Sequence, residues 1–173
     1  METTETVNCL ICGADDGRPI LRRPEPRHVI CRQCGFVYQS PRPTEAAMAS
    51  RYESGYWENH PSYHARLADI GRQRGGIICD WIGHLAGREE LVLDVGCGPG
   101  VILNHLRETL NCRVLGIEPS ADQAASAQKR YGLEVIPGDI HTAELGDRKP
   151  KVIVLSHVVE HLYDPVSALR RCE

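Results

Sequence analysis

Four of the eight cysteines form two C-x-x-C pairs, Cys9/Cys12 and Cys31/Cys34, with 18 residues between the pairs. Two such knuckles offer four thiolates to one tetrahedral ion. That soft donor set suits zinc better than harder cations, with iron as a lesser fit. All four positions would be filled by protein, so the ion would be structural. Gly13 and Gly35 each follow the second cysteine of a pair and permit the tight turn a knuckle needs. Disulfides are the competing use, but Met1-Glu2-Thr3-Thr4-Glu5 lacks the basic-then-apolar layout of a secretory signal. Cys79, Cys97, Cys112 and Cys172 stand singly and read as small buried hydrophobes, apart from Cys97, which lies in a glycine-rich turn.

That turn is Asp94-Val95-Gly96-Cys97-Gly98-Pro99-Gly100, at the end of the apolar run Leu91–Val95. An acid followed by three alternate glycines, where a strand hands over to a helix, is suited to close approach of a nucleotide. It is not the dinucleotide fingerprint G-x-G-x-x-G, because after Gly96 and Gly98 the third glycine would fall at Val101 and instead falls at Gly100. Downstream, Gly116-Ile117-Glu118-Pro119-Ser120 places a carboxylate that can accept both hydroxyls of a ribose. Ser156-His157-Val158-Val159-Glu160-His161-Leu162 brings two imidazoles and an acid within one helical turn. An imidazole at the carboxyl end of a strand can act as a base or line a pocket; a hydrogen-bonded structural histidine is the plainer alternative. Glu160 orients a neighbouring imidazole or caps backbone amides.

The elements that would carry these residues follow from periodicity. Residues 1–43 hold both cysteine pairs and five of the eleven prolines, with too little apolar surface for an independent core, and form the metal-stapled module. Residues 44–86 are a connector over 44–61, with Tyr52, Tyr56 and Trp57, and then a helix from Ser62 to Leu85 that Gly75-Gly76 weakens or kinks. Residues 87–173 alternate: strands over Leu91–Val95, Arg113–Ile117, Leu133–Ile136 and Val152–Leu155, and helices over Val101–Leu110 and Ala121–Tyr131. A short turn is expected within 140–150, and Asp164-Pro165 starts a last helix running into Cys172. The result is an α/β chain with a parallel, doubly wound sheet.

On these motifs the chain resembles the Rossmann-like, S-adenosylmethionine-dependent methyltransferases, most specifically over residues 91–165. The resemblance implies S-adenosyl-L-methionine held by Asp94, Gly96, Cys97, Gly98, Gly100, Glu118, Pro119, Asp139, Ser156 and His157, with Asp139 beside the adenine. It makes His157 and His161 the candidate catalytic residues. The stretch His157-x-x-Glu160-His161 is similar to that of small-molecule methyltransferases of sugars, quinones and natural products. Cys31-Arg32-Gln33-Cys34-Gly35-Phe36-Val37-Tyr38, with Pro41-Arg42-Pro43, looks like the zinc-ribbon front end of methyltransferases of sugar and polysaccharide pathways; in sugar C-methyltransferases that lobe helps form the acceptor side. His60 and His64 either face the cleft or are solvated helix-end histidines. The implied activity is methyl transfer to a small-molecule acceptor, with a nucleotide-linked sugar as the candidate.

Composition narrows the alternatives. With Lys+Arg 20 against Asp+Glu 23 the net charge is −3. No basic stripe is present, which disfavours nucleic acid and hence an RNA methyltransferase. No apolar run approaches the ~20 residues of a membrane span, and a cytoplasmic protein is expected. A non-catalytic zinc-ribbon module on a nucleotide-binding remnant is the remaining alternative. The family sheet has seven strands and this chain supplies four. The reading is therefore of a fragment whose missing strands come from a longer parent chain or from oligomerisation, and whose open Val152–Leu155 edge favours association.

Overall fold

A computed structural model describes residues 3–20, 28–53 and 61–173, without the side chains of residues 49, 51–53, 61–65 and 68. The contacts divide the chain into two units: Met1–Ser54 with Leu162–Arg171 and Glu173, and Gly55–His161 with Cys172.

In the first unit, β1 (Thr4–Glu5) has its partner far along the chain. β2 (Gly17–Pro19), β3 (His28–Cys31) and β4 (Val37–Gln39) form an antiparallel sheet in the order β2-β3-β4, and β5 (Arg42–Pro43) pairs antiparallel with β1. The buried core here is Cys9, Val29, Cys31 and Tyr38, with Val7, Ala14 and Phe36 packed against it. Phe36 and Tyr38 stack with ring centroids 6.1 Å apart. Two of the four buried residues are thus cysteines of the C-x-x-C pairs, so apolar burial alone gives this unit little stability. Residues 44–61 are not all connector: α1 covers Glu45–Glu53. Thr44 Oγ1 accepts from the Ala47 amide at 3.4 Å, and Glu45 sits favourably in the first turn. Thr-Glu-Ala-Ala was the cue in the sequence.

In the second unit, α2 (Pro61–Ile82) runs through Gly75-Gly76 without a break. Those glycines do not kink it. A Cβ on Gly75 would lie 2.6 Å from His105 Cδ2, so the missing side chain lets α2 lie close against α3 (Val101–Leu110). Its apolar residues meet two surroundings: Leu67 and Ile78 are buried, while Ile77 and Trp81 are exposed, as is Leu85 just past the helix end.

The sheet comprises β6 (Leu91–Val95), β7 (Arg113–Glu118), β8 (Val135–Pro137) and β9 (Val152–Val154), all parallel, in the order β8-β7-β6-β9. Every residue of β6 is buried, as a central parallel strand requires. α4 (Ala121–Tyr131) starts at Ser120, whose Oγ accepts from the Gln123 amide, and ends at Gly132 in the left-handed conformation. One core cluster includes Val92, Leu106 and Val154; a second joins Cys97, Leu103, Ala127 and Leu133. Burying each of the larger aliphatic side chains contributes roughly 1.5–3 kcal/mol. β8 begins two residues later than periodicity suggests, but Leu133 is still buried against α4. The last helix, α5 (Pro165–Arg171), is capped by Asp164 Oδ1, which accepts from the Ser167 amide at 2.9 Å. This helix falls in the first unit.

Candidate functional site

Because the four strands are parallel, their carboxyl ends lie along one edge of the sheet, and the crossover helices begin there. Asp94 is the fourth residue of β6, paired in register with Gly116 on one side and Val154 on the other. The turn after it folds back on β7: the amides of Gly96 and Cys97 both donate to the Ile117 carbonyl, at 2.7 and 3.1 Å. Gly96 and Gly100 have φ of 70° and 78°, the left-handed region that favours glycine. Each is also a close approach. A Cβ on Gly96 would come 2.6 Å from Val158 Cγ2, and one on Gly100 2.5 Å from Leu133 Cδ1. Val158, which sequence reading passed over as a spacer between the histidines, therefore packs on the first glycine; its apolar type was the available signal. Gly100 heads α3 without a side-chain cap.

Glu118, at the end of β7, is 7% exposed and already engaged. Its Oε2 accepts from the Gly98 amide at 2.7 Å and its Oε1 from the Ser120 amide at 2.9 Å. One carboxylate thus braces the middle of the glycine turn and the start of α4. Burial pushes its proton affinity up, and the two amides oppose that shift without cancelling it. Asp94 is 2% exposed; desolvation, helped by the nearby Glu118 charge, raises its pKa to about 7. Cys97 is buried beside both acids, and burial first, then those charges, push its thiol far up, which disfavours a thiolate there.

The raised pKa of Asp94 has a consequence for stability. Between its unfolded value near 4 and its folded value of about 7, the native chain holds a proton that the unfolded chain has lost. Native stability therefore falls as pH rises through that window, by about 1.4 kcal/mol per unit of displacement at most. Ligand-free protein is expected to resist denaturant better at pH 5 than at pH 8, and Asp94→Asn to flatten that difference. Equal slopes in both proteins would contradict the assignment.

Asp139 lies just past β8. Its Oδ1 accepts from the amides of His141 (2.9 Å) and Thr142 (2.8 Å) and from Thr142 Oγ1 (3.0 Å). Burial works to raise its pKa, but the Thr142 and His141 contacts outweigh it and leave the carboxyl below its ordinary value. Ser156 is half-buried beyond β9, and Pro119 is exposed beyond Glu118. His157 has φ of 57°, rare for a residue with a side chain, and its Nδ1 lies 3.1 Å from Glu160 Oε1. Glu160 thus contacts an imidazole at the surface. His161 closes a 3₁₀ turn over Val159–His161, and both histidines are exposed. His60, Tyr56 and Trp57 lie outside the described residues, as do the side chains of Tyr52 and His64.

The four knuckle cysteines converge. The sulfurs of Cys9, Cys12, Cys31 and Cys34 all lie within 4.8 Å of one another, with Cys9–Cys34 at 3.5 Å and Cys12–Cys31 at 3.6 Å. Both knuckles close alike: Gly13 donates to the Cys9 carbonyl and Gly35 to the Cys31 carbonyl, each at 2.9 Å. Burial works against a Cys9 thiolate, yet the Cys12 and Ile11 amides and the neighbouring thiols draw it down to about 7. At Cys34 the Phe36 amide favours ionisation, but the charge on Cys9 with burial and the other thiols pushes it up to about 12. Such a cluster ionises fully only around a cation. Of the four single cysteines, Cys79, Cys97 and Cys112 are buried and Cys172 is half-buried.

A cavity of about 480 Å³ opens at the opposite end of the sheet, among Glu89, Glu90, Arg113, Asp147, Arg148 and Lys149. It brings three charges of each sign together and none of the glycine-turn residues.

Residues 93–173 match the family model of a methyltransferase domain. The parallel sheet with its crossover helices is the Rossmann-like fold of solved methyltransferases. The chain is 31% identical over 166 residues to a 37.1 kDa protein of transposon TN4556 from Streptomyces fradiae, covering 91% of this chain and 43% of that one. It is 31% identical over 134 residues to the ubiquinone biosynthesis O-methyltransferase of Bordetella bronchiseptica, covering 73% and 52%. The chain thus spans about half the length of the curated relatives it matches. Among solved structures it is similar to a SAM-bound amino pentose methyltransferase from Micromonospora echinaspora, with 25% identity, a TM-score of 0.53, and coverage of 65% of this chain and 50% of that one. The magnesium protoporphyrin IX methyltransferase of Synechocystis PCC 6803, with bound SAH, shares the fold at 16% identity, a TM-score of 0.57, and coverage of 75% and 66%. No described helix is long and apolar enough to cross a membrane.

Proposed function

We propose that this chain binds S-adenosylmethionine over the Gly96–Gly100 turn and takes part in methyl transfer to a small-molecule acceptor, with a nucleotide-linked sugar as the candidate class. The observation that carries the reading is the meeting, at one sheet edge, of a turn with three glycines at positive φ and a buried carboxylate from the next strand. When bound, the sulfonium cofactor supplies an activated methyl carbon, so no protein nucleophile is required. The work left to this chain is recognition and placement. Glu118 accepts the ribose hydroxyls on the lone pairs that the Gly98 and Ser120 amides leave. Asp94 and the head of α3 hold the turn's shape, and Asp139 stands by the adenine. His157, oriented by Glu160, takes a proton from the acceptor or forms the wall beside it. The amino pentose methyltransferase among the structural relatives supports a sugar acceptor, and the ubiquinone enzyme marks a quinone phenol as the competing one.

We also infer that Cys9, Cys12, Cys31 and Cys34 hold a structural zinc in a reducing, cytoplasmic setting. A tetrahedron with arms of ~2.3 Å has edges of roughly 3.8 Å, close to the sulfur spacings found. Titration of the full chain with S-adenosylhomocysteine in a calorimeter tests the main reading: micromolar, one-to-one binding is expected. No binding by folded protein would leave a non-catalytic remnant.

A further inference from the structure

The four-cysteine unit is built from both ends of the chain, since Leu162–Arg171 falls within it. The β1–β5 register sets Glu5 opposite Arg42. The Arg42 side chain is 14% exposed, and its guanidinium is engaged on three sides. Nε donates to Glu5 Oε1 at 2.9 Å, Nη1 donates to the Tyr163 carbonyl at 2.6 Å, and Cζ lies 3.9 Å from the centroid of the Tyr163 ring. The Tyr163 hydroxyl closes the ring of contacts by donating to the same Glu5 Oε1 at 2.8 Å. The Tyr163 hydroxyl and then Arg42 hold the Glu5 carboxyl below its ordinary value, so it is ionised at neutral pH.

An ordinary surface ion pair fixes little, but a planar guanidinium gripping a carboxylate, a carbonyl and an aromatic face has one geometry. The path from this knot to the cysteines is short. Ser40 Oγ accepts from the Val7 amide at 3.1 Å and donates to the Val7 carbonyl at 3.2 Å. Val7 packs on the core formed by Cys9, Val29, Cys31 and Tyr38. At the other end, Tyr163 follows His161 by two residues along the chain.

We propose that Arg42 is a positioning residue for the Ser156–His161 turn: by clamping Tyr163 to the β1–β5 pair, it makes the order of that turn depend on the metal held by the four cysteines. Its bearing on methyl transfer rests on the function proposed above; the coupling itself does not.

Hydrogen exchange followed by mass spectrometry on the full, zinc-loaded chain tests this. In Arg42→Met, exchange over residues 157–163 is expected to rise at least tenfold. Zinc should stay at one per chain, and residues 28–39 and 91–118 should remain within twofold of wild type. Chelation of the wild type should speed 157–163 as well. Chelation of Arg42→Met should speed 28–39 but add nothing at 157–163. Arg42→Lys keeps the charge but loses the fork, and Tyr163→Phe loses only the hydroxyl bond to Glu5; both should fall between the extremes. Equal protection of 157–163 in wild type and Arg42→Met overturns the proposal, as does a uniform rise that includes 91–118, or a chain that takes up no zinc. Failure of the wild type to bind S-adenosylhomocysteine would overturn the methyltransferase reading while the exchange result stood.

Discussion

Cys31→Ser is expected to abolish zinc uptake and to unfold the β2-β3-β4 sheet while leaving the parallel sheet intact. Cys31 is 1% exposed and lies in a cluster of four buried residues among the described ones. Burial of Val29 and Tyr38 contributes on the order of 1.5–3 kcal/mol each, whereas metal binding by comparable cysteine sites contributes roughly 10–16 kcal/mol. With the ion gone, the ordering of some forty residues is unsupported. Metal analysis should fall from one zinc per chain to none, and amide exchange over 28–39 should become that of an unfolded peptide. Cys172→Ser, outside the cluster, should change neither measurement. Persistent protection of β3 and β4 in the metal-free variant would show that the unit folds on apolar packing alone.

Glu118→Ala is expected to weaken S-adenosylhomocysteine binding by about 10- to 100-fold, the range for losing hydrogen bonds to a charged acceptor. Two effects combine. The variant removes the proposed acceptor of the ribose hydroxyls, and it releases the Gly98 and Ser120 amides that now bind Oε2 and Oε1. Glu118→Gln separates them. Its side-chain oxygen can still accept one amide, but its NH₂ cannot accept a hydroxyl, so affinity should fall with less disturbance of the turn. Calorimetry gives the affinity, and exchange over 95–101 reports the turn. Binding within twofold of wild type in both variants would remove Glu118 from the cofactor site.

Much of the second unit could be read residue by residue. Val101–Leu110 and Ala121–Tyr131 have the bounds their periodicity and caps imply, because apolar spacing, Ser120 and Gly132 are local signals. Leu91–Val95 reads as a central strand because only burial on both faces tolerates five apolar or paired residues in a row. The first unit was less legible. Its strands have two to four residues, and such short segments leave no period to detect. α1 is poorly legible because its signal is confined to the Thr44 cap and a short alanine-containing turn, with no apolar period along Glu45–Glu53. Gly75 was read as a weak point because propensity is local, whereas its reason, His105 across the interface with α3, is 30 residues away.

The cysteine spacing, the acid-and-glycine turn and the acid ending the second parallel strand were determined by sequence alone, since each depends on residue type at fixed separation. Only the tertiary structure decided that Glu118 braces Gly98, that Val158 packs on Gly96, and that Arg42 meets Glu5 and Tyr163. Those contacts join residues 20 to 121 positions apart, and no local propensity encodes a distance closed only when the whole chain has folded.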